Sequence, residues 1–253
     1  MKKLFFLLVI FLCSNSLFAQ KTITDTINSQ KLGEEREIKI SLPPSYSKNK
    51  AQKYPLLILL DGDFLFDPFY GTLSYGYYWD DLPEVIIVAI SQNKNGEREY
   101  DSATDGVTGL PTEKGEKFFE FIGMELIPTI QKNFRTAPFR IVAGLDVTAG
   151  FMNCYLYKDD PIFNTYISLS PELPVGMEEQ IPERLAAITK NIFYYHCTAD
   201  GDLKKMRARI QAMDKEIKKI NKPNLNYRYE DFRGASHYSL VPHAIPSALY
   251  QIF

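Results

Sequence analysis

The sequence predicts an α/β protein whose central sheet is mostly parallel and covered by helices on both faces. Short continuous apolar segments such as Leu56–Leu60 and Val85–Ile90 are typical of strands that are buried on both faces. Between such segments lie stretches with helical periodicity, for example the apolar residues spaced four apart from Phe118 to Ile130. Because parallel neighbours need crossover connections, this alternation predicts helices on both sides of the sheet.

Composition places the chain among compact globular proteins. Its 253 residues are 45% hydrophobic and 24% charged, as in ordinary soluble domains. An aromatic content of 13% argues against disorder. The formal net charge of −2 argues against nucleic acid as a partner, because phosphate binding needs clustered Lys and Arg. The sequence contains no internal repeat or low-complexity linker, so its length predicts one domain.

The N-terminal residues have the pattern of a secretory signal peptide. Two lysines precede the apolar run Leu4–Leu12, and Ala19 is a small residue suited to cleavage. The run is too short to span a bilayer, which argues against a membrane anchor. We therefore predict a signal peptide at residues 1–19 and one domain at residues 20–253. The mature protein is expected to be exported, periplasmic or extracellular, and free of the membrane.

Two cysteines remain after such a cleavage, Cys154 and Cys197. An exported protein can form a disulfide. Both residues lie within apolar segments, however, so we predict two buried thiols. Neither has the spacing of a metal ligand, and nothing else in the sequence indicates a metal or a cofactor.

The strands are predicted in chain order from local patterns. Thr22–Ile27 and Glu37–Leu42 alternate apolar and polar residues on either side of Gly33, which predicts an antiparallel hairpin. Six further apolar or alternating runs predict the remaining strands: Leu56–Leu60, Val85–Ile90, Phe139–Ala143, Tyr166–Leu169, Ile192–Cys197 and Leu225–Phe232. The sheet is thus expected to have about eight strands.

The helices are predicted from apolar periodicity between these strands. Pro128 lies in the first amphipathic segment and should kink it or end its regular hydrogen bonding. Met206–Ile220 predicts a long amphipathic helix, and Phe151–Leu156 and Ala248–Phe253 predict shorter ones. The aromatic segment Phe64–Trp79 is interpreted mainly as the core face of a helix, with the lining of an acyl pocket as the alternative. A hairpin followed by alternating strands and helices is the arrangement of the α/β-hydrolase fold.

The turn after Phe139–Ala143 is the first candidate for chemistry, because ligands bind at the carboxyl ends of parallel strands. In the nucleophile elbow of this fold, a strained strand-to-helix turn presents the central residue, and the residues two positions away must be small. Gly144 meets this requirement, and Thr148 meets it poorly. The central residue is Asp146 where a serine is usual, and no GxSxG motif occurs in the chain.

Acidic residues follow the fifth buried strand, where an acid that orients a histidine is expected. Asp200 and Asp202 are the two candidates for this role. Asp is also a preferred helix N-cap, and the long helix is expected to start near Leu203, so capping is an equally good interpretation of either residue.

His237 is the candidate base. It lies in a small-residue loop after the last strand, and the chain order of elbow, acid and histidine is that of the fold. His196 and His243 are interpreted as structural, and their spacing from His237 does not indicate a metal site.

The loop after the first central strand supplies the remaining candidate. A backbone N–H from Asp63, together with that of Val147 after the elbow, is predicted to form an oxyanion hole. An ordinary Asp-Gly turn at residues 61–62 is the alternative interpretation.

Seven segments together resemble the putative esterase family of α/β-hydrolases, which contains enterochelin-esterase-like and esterase-D-like enzymes. They are distributed along the mature chain from residue 42 to residue 253: LPPSY, KYPLLILLDGD, EREYDSATD, FIGMELIPTIQKNFRT, FRIVAGLDVTAG, FNTYISLSPEL and GASHYSLVPHAIPSALYQIF. The resemblance implies that His237 matches the catalytic histidine and that Asp202, or less favourably Asp200, matches the acid. It further implies that Asp146 replaces the nucleophilic serine and that Arg98 and Asp101 form a structural pair.

Three interpretations of Asp146 follow, because a carboxylate has no proton to give to a histidine at neutral pH. Asp146 is itself the nucleophile, as in haloalkane dehalogenases and epoxide hydrolases, and His237 activates water. Alternatively, catalysis is lost and the cleft is a binding module in which Asp146 and His237 form an ion pair. In the third interpretation, Asp146 acts as a base for water beside the oxyanion hole.

The sequence therefore predicts an exported, esterase-family hydrolase-like protein that acts on a small ester or a related substrate. An inactive binding module and an Asp-nucleophile hydrolase are the alternatives. The expected partner is a small ester-like ligand, without a cofactor, and the sequence gives no oligomeric state.

Overall fold

Eight strands form one sheet in the computed structural model, which describes residues 21–253. They are β1 (Lys21–Ser29), β2 (Glu34–Leu42), β3 (Tyr54–Leu59), β4 (Ile86–Ile90), β5 (Thr136–Leu145), β6 (Thr165–Leu169), β7 (Ile192–Ala199) and β8 (Leu225–Phe232). The sequence-based prediction of the strands is confirmed. The predicted signal peptide lies outside the described residues.

The sheet has the order β1-β2-β4-β3-β5-β6-β7-β8. The hairpin β1–β2 is antiparallel and also pairs antiparallel with β4, whereas all other neighbours are parallel. In the parallel part, Leu145 pairs with Leu169, and Leu169 pairs with Cys197. The residues that follow these three positions therefore lie side by side at one edge of the sheet.

Helices follow the strands as crossover connections. They are α1 (Gly62–Trp79), α2 (Arg98–Asp101), α3 (Glu113–Glu120), α4 (Ile127–Asn133), α5 (Val147–Phe151), α6 (Met177–Ala187), α7 (Lys204–Ile217) and α8 (Val241–Ile252). A π-helical turn, Phe121–Leu126, joins α3 to α4, and a 3₁₀ turn, Met152–Tyr157, extends α5.

Proline positions explain two details of these helices. The π-helical turn ends at Leu126, two residues before Pro128, whose missing N–H removes a regular helical hydrogen bond at this point of the continuous helix. The interruption predicted near Pro128 is therefore confirmed. The last helix begins at Val241, earlier than the predicted Ala248, because Pro242 lies in its first turn and is compatible with helix there.

Two apolar layers cover the sheet. Successive residues of β3 point to opposite faces, so Ile58 packs into one layer with Phe118 and Ile210, while Leu57 packs into the other with Phe69 and Leu249. Such buried side chains each contribute roughly 1.5–3 kcal/mol to folding. The two layers hold the strands, and with them the edge that carries the candidate site, in a fixed frame.

Two further properties concern the described residues. Cys154 and Cys197 are free and buried, as predicted, and burial raises the pKa of Cys154 to about 12. Across residues 21–253, no helix combines the length and the apolar character that a membrane span requires.

Candidate functional site

Asp146 occupies a strained turn between β5 and α5. Its backbone has φ 59° and ψ −120°, a conformation that non-glycine residues rarely adopt and that is common at functional sites. Three backbone hydrogen bonds fix it, because its N–H donates to the Leu169 carbonyl and its carbonyl accepts from Gly150 and Glu172, each at 3.0 Å. The turn is that of a nucleophile elbow, as the sequence predicts.

The two residues flanking the elbow show how the turn closes. A Cβ on Gly144 would lie 2.8 Å from the Ala149 nitrogen and from the Thr148 hydroxyl oxygen, so no larger residue fits there. Thr148 is accommodated, although it is larger than usual, because its buried hydroxyl donates to the Asp61 carboxylate. The poor match of Thr148 to the motif is thus compensated by a hydrogen bond.

A buried ion pair supports the elbow from the β3 side. Arg98 Nε donates to Asp61 Oδ1 at 2.5 Å, and the Asp61 side chain is fully buried. Arg98 Nη1 also reaches Asp146 Oδ2 at 3.3 Å, and Nη2 donates to the Leu145 carbonyl. Burial alone would lower the pKa of Arg98, but the carboxylates of Asp61 and Asp146 raise it overall. Arg98 therefore stays charged and faces the candidate site.

The pairing of Arg98 with Asp101, which the family resemblance implies, is wrong. Both residues lie in the four-residue helix α2, but Asp101 pairs with the buried Arg36, at 2.9 Å from Nη1. Burial raises the pKa of Asp101 in spite of that partner. The partner of Arg98 is Asp61, a residue that the sequence analysis considered only as part of a turn.

His237 and Asp202 form the second pair of the site. His237 Nδ1 donates to Asp202 Oδ1 at 2.7 Å, and the Asp202 side chain is fully buried. The other carboxylate oxygen of Asp202 accepts from the Ala199 N–H at 2.8 Å and from the Ser170 hydroxyl at 2.5 Å. Burial alone would raise the pKa of Asp202, but these hydrogen bonds lower it, so the carboxylate is ionised.

Asp200, the other candidate acid, points elsewhere. Its carboxylate binds Arg207 at 3.0 Å and accepts from the Gly234 N–H at 2.8 Å. Arg207 also binds Asp231 on β8 at 2.6 Å. Asp200 thereby connects the loop after β7, which carries Asp200 and Asp202 and is called the acid loop, to the loop after β8, which carries His237. It does not contact His237 itself. The N-cap of α7 is Leu203, and its side chain makes no capping bond, so the capping interpretation of either aspartate is wrong.

The two pairs face one another across a short gap. His237 Nε2 lies 3.9 Å from Asp146 Oδ1, which is too long for a hydrogen bond. The hydrogen bond to Asp202 raises the pKa of His237, burial opposes this rise, and the charge of Asp146 adds to it. The imidazole is therefore protonated more readily than a free histidine.

The backbone donors predicted for an oxyanion hole begin two helices at the same edge. Asp63 lies in the first turn of α1, and Val147 is the first residue of α5. Amide N–H groups in the first turn of a helix have no partner within the helix, and they favour negative charge. The Asp63 side chain is held by the N–H of Gln92 at 3.0 Å.

A cavity borders the candidate site, although Asp146, Asp202 and His237 do not line it. This cavity of about 170 Å³ is lined by Glu172, which hydrogen bonds to the elbow, by Leu203 next to Asp202, and by Met206. A larger cavity of about 310 Å³ lies away from these residues, around Phe119 and other side chains of α3 and the 3₁₀ turn.

The remaining histidines lie apart from the site. His196 is buried on β7, where burial lowers its pKa to about 3, and it contacts the Tyr227 hydroxyl at 2.5 Å. His243 lies in α8 against Phe232. Within residues 21–253, no three His, Cys, Asp or Glu side chains are grouped so as to hold a metal ion.

Three supporting residues were missed by the sequence analysis: Asp61, Ser170 and Arg207. Ser170 had a positional signal, because it directly follows β6 at the edge where β5 and β7 also end. Its φ of 42° shows that the chain turns sharply there to present the hydroxyl to Asp202. Arg207 had none, since one arginine on an amphipathic helix is ordinary.

Comparison with protein families agrees with this geometry. The sequence profile of a family described as putative esterase matches residues 29–175, more than half of the chain and including Arg98 and Asp146. Comparison with curated proteins gives no match.

Solved structures share the fold over nearly the whole chain. An uncharacterised protein from Capnocytophaga ochracea is 26% identical with a TM-score of 0.83; the alignment covers 92% of this chain and 64% of that one. An IroE-like serine hydrolase from Shewanella oneidensis is 23% identical, with a TM-score of 0.80 and coverages of 92% and 80%. The enterobactin esterase of Shigella flexneri is 15% identical, with a TM-score of 0.69 and coverages of 92% and 60%. The last two likenesses concern the fold alone.

Proposed function

Because the chain belongs to the putative esterase family, we propose that it hydrolyses a small ester and that a water molecule takes the place of the serine hydroxyl. The observation that carries this proposal is the pair of His237 and the buried Asp202, 2.7 Å apart and facing the elbow. An acid–histidine pair in this position is the part of a hydrolase that accepts a proton from the attacking oxygen.

The proposed step needs no proton from Asp146. Neutral His237 accepts a proton from water at Nε2 while the water oxygen forms a bond to the ester carbonyl carbon. The carbonyl oxygen becomes an oxyanion, which the N–H groups of Asp63 and Val147 stabilise. When the tetrahedral intermediate collapses, the ester C–O bond breaks, and the His237 imidazolium returns its proton to the leaving alkoxide. Asp146 orients the water and makes His237 more basic.

The contact between Arg98 and Asp146 argues against Asp146 as a nucleophile. A guanidinium 3.3 Å from Asp146 Oδ2 withdraws charge from the carboxylate that would have to attack. Attack on an ester carbonyl would also give a mixed anhydride. The nucleophile alternative predicts that one turnover in oxygen-18 water labels the Asp146 carboxylate, whereas we expect the label in the product acid only.

One observation favours a second candidate, a binding module without turnover. Arg98 is charged and the pKa of His237 is raised, so two cationic groups face the cleft. On this alternative, protonated His237 pairs with Asp146, whose carboxylate lies 3.9 Å from Nε2, and the cleft binds a small ester-like ligand without cleaving it. Ligand affinity then falls as the pH rises through the pKa of His237, whereas hydrolysis by the proposed route increases, because it needs the neutral imidazole.

The substrate class is proposed from the relatives and from the size of the site. The Shigella flexneri structure is of an enterobactin esterase in the presence of enterobactin. A cavity of about 170 Å³ at the border of the site, lined by Glu172, Leu203 and Met206, has room for a single group of about the size of a benzene ring. We therefore propose small esters whose acyl or alcohol part has that size.

The test is a panel of para-nitrophenyl and methyl esters assayed with the wild type, His237→Ala and His243→Ala. We expect His237→Ala to lower kcat/KM by about 100-fold or more, the usual contribution of a general base. His243→Ala is the matched control, because that residue lies on α8 outside the site, and it should leave the rate unchanged. Equal rates for the wild type and His237→Ala would exclude the proposed mechanism.

Export is proposed on the sequence pattern of residues 1–19. The expected mature protein starts at Gln20, and sequencing the N-terminus of protein recovered from the periplasm or the medium tests this. Recovery of the chain from the cytoplasm with Lys2 and Lys3 intact would contradict it.

A further inference from the structure

The aromatic segment of α1 divides into a buried and an exposed part. Leu65, Phe69 and Leu73 pack into the core, as predicted for this segment. By contrast, the last turns expose Tyr75 (64%), Tyr78 (79%) and Trp79 (58%). The proposed hydrolase function uses none of these rings, which we call the aromatic corner.

The rings of the aromatic corner stand at steep angles to one another. Trp79 and Tyr78 have centroids 5.0 Å apart and planes at 87°, and Trp79 and Tyr75 have centroids 6.4 Å apart and planes at 64°. These are edge-to-face contacts, and the high exposure of all three rings leaves ring faces open to solvent. A cation within about 6 Å of the centroid of an open ring face is attracted by that face.

Three sources of negative potential coincide at the aromatic corner. The face of each ring carries the negative part of its quadrupole. Helix α1 ends at Trp79, so the negative end of its dipole lies here, and its last turn holds no basic residue. Asp80 and Asp81 follow directly, and both are exposed.

We propose that the aromatic corner binds an organic cation of the quaternary ammonium class, such as a choline group. A methylated ammonium ion suits it because the ion is weakly hydrated and its apolar methyl groups cover ring faces. A metal ion would instead need a cluster of oxygen ligands. Helix α1 begins at Gly62 beside the candidate site, and its 18 residues span about 27 Å, so the corner is distant from Asp146.

The experiment uses the single tryptophan of the sequence, which is Trp79. Choline chloride is titrated against the whole protein while Trp79 fluorescence is recorded, with sodium chloride added to keep the ionic strength constant. We expect a saturable change with a dissociation constant on the order of millimolar, typical of exposed cation–π contacts. Dimethylbutanol, the uncharged carbon isostere of choline, should bind at least about 5-fold more weakly.

Variants assign the binding to the corner. Tyr75→Leu and Tyr78→Leu should each weaken choline binding by about 2- to 5-fold, and Asp81→Asn by about 2-fold. Tyr238→Leu is the matched control, because Tyr238 is as exposed as Tyr78 (79%) but lies next to His237; it should bind choline like the wild type. Saturation transfer from protein to the choline methyl groups, observed by NMR, provides a readout that does not depend on Trp79.

Several results would overturn the proposal. They are a fluorescence change that never saturates, equal affinity for choline and dimethylbutanol, and equal weakening by Tyr238→Leu and Tyr78→Leu. Circular dichroism confirms that each variant is folded, and the three substitutions at exposed positions provide independent tests if one of them misfolds. None of these measurements depends on ester hydrolysis, so the two proposals fail separately.

Discussion

The two halves of the candidate site differ in how far they depart from a serine hydrolase. On the β7–β8 side, His237 and the buried Asp202 form a hydrogen-bonded pair at 2.7 Å, as in an intact acid–histidine dyad. On the β5 side, the elbow keeps its strained backbone, with φ 59° at Asp146, but presents a carboxylate that is bound by Arg98. The β7–β8 half thus matches a serine hydrolase in both its side chains and its backbone. The β5 half matches it only in its backbone.

At the elbow, the backbone positions residue 146, and the side chain of that residue determines the chemistry. The elbow backbone depends on Gly144 and on backbone hydrogen bonds with Leu169, Gly150 and Glu172, none of which involves the Asp146 side chain. Aspartate can therefore replace serine without disturbing the turn. What changes is the charge: a third carboxylate, beside Asp61 and Asp202, joins the site. Arg98 contacts two of these three carboxylates, and we expect its positive charge to compensate much of the added negative charge.

The largest expected effect comes from removing the positive charge of Arg98. Arg98→Leu leaves Asp61 fully buried without its cation, and breaking such a pair costs about 3–5 kcal/mol of unfolding free energy. Urea denaturation at neutral pH measures the loss. Lys117→Leu is the control, because its ion pair with Glu113 is solvent-exposed, and it should leave the midpoint nearly unchanged. Similar midpoints for the two variants would show that Asp61 does not depend on Arg98.

The next largest effect tests whether the pair of His237 and Asp202 can support ester hydrolysis when a serine stands at the elbow. Asp146→Ser supplies a hydroxyl proton that His237 can accept, so ester hydrolysis should increase by about 100-fold or more, since a complete triad exceeds a partial one by at least that factor. The double variant Asp146→Ser with Asp202→Asn should lose most of the gain. If Asp146→Ser folds and is no faster than the wild type, the dyad or the oxyanion donors are themselves defective.

The same division describes what the sequence reveals. The strands, the elbow, Asp202 and His237 are marked by local patterns, because apolar runs, small residues and chain order set them. The partner of Arg98 was wrongly expected to be Asp101, and the choice between Asp200 and Asp202 stayed open. Both depend on side-chain direction across loops, which residue spacing does not encode. The buried link from Thr148 to Asp61 joins positions 87 residues apart and leaves no local pattern.

A third prediction concerns pH and compares the two halves directly. The pKa of His237 is raised, so its imidazolium stabilises the fold below the unfolded pKa, and this contribution is lost as the pH rises through the folded value. Asp202→Asn should lower that pKa, and Asp146→Asn should lower it by less, because the Asp146 oxygen is 3.9 Å away rather than 2.7 Å.

NMR titration of the three histidines in the sequence measures these shifts, and His243 serves as the internal control. The measured pKa of His237 also gives the pH range in which the rate of hydrolysis should change. Hydrolysis by the proposed route should increase with pH through the His237 pKa, because the base must be neutral. A larger shift in Asp146→Asn than in Asp202→Asn would make Asp146, and not Asp202, the main partner of His237.

The smallest expected effect distinguishes the two aspartates of the acid loop. Asp200→Ala removes the acceptor of the Gly234 N–H and the contact with Arg207, but it leaves the Asp202–His237 bond intact. We expect faster hydrogen exchange at the Gly234 amide, a decrease in hydrolysis of about 2- to 5-fold, and little change in the His237 pKa. Asp159→Ala, which removes an exposed partner of Arg184, is the control and should change none of the three. If Asp200→Ala moved the His237 pKa as far as Asp202→Asn does, the acid role would be shared between the two aspartates. Asp200 would then contribute to the basicity of His237 as well as to the attachment of the loop that carries it.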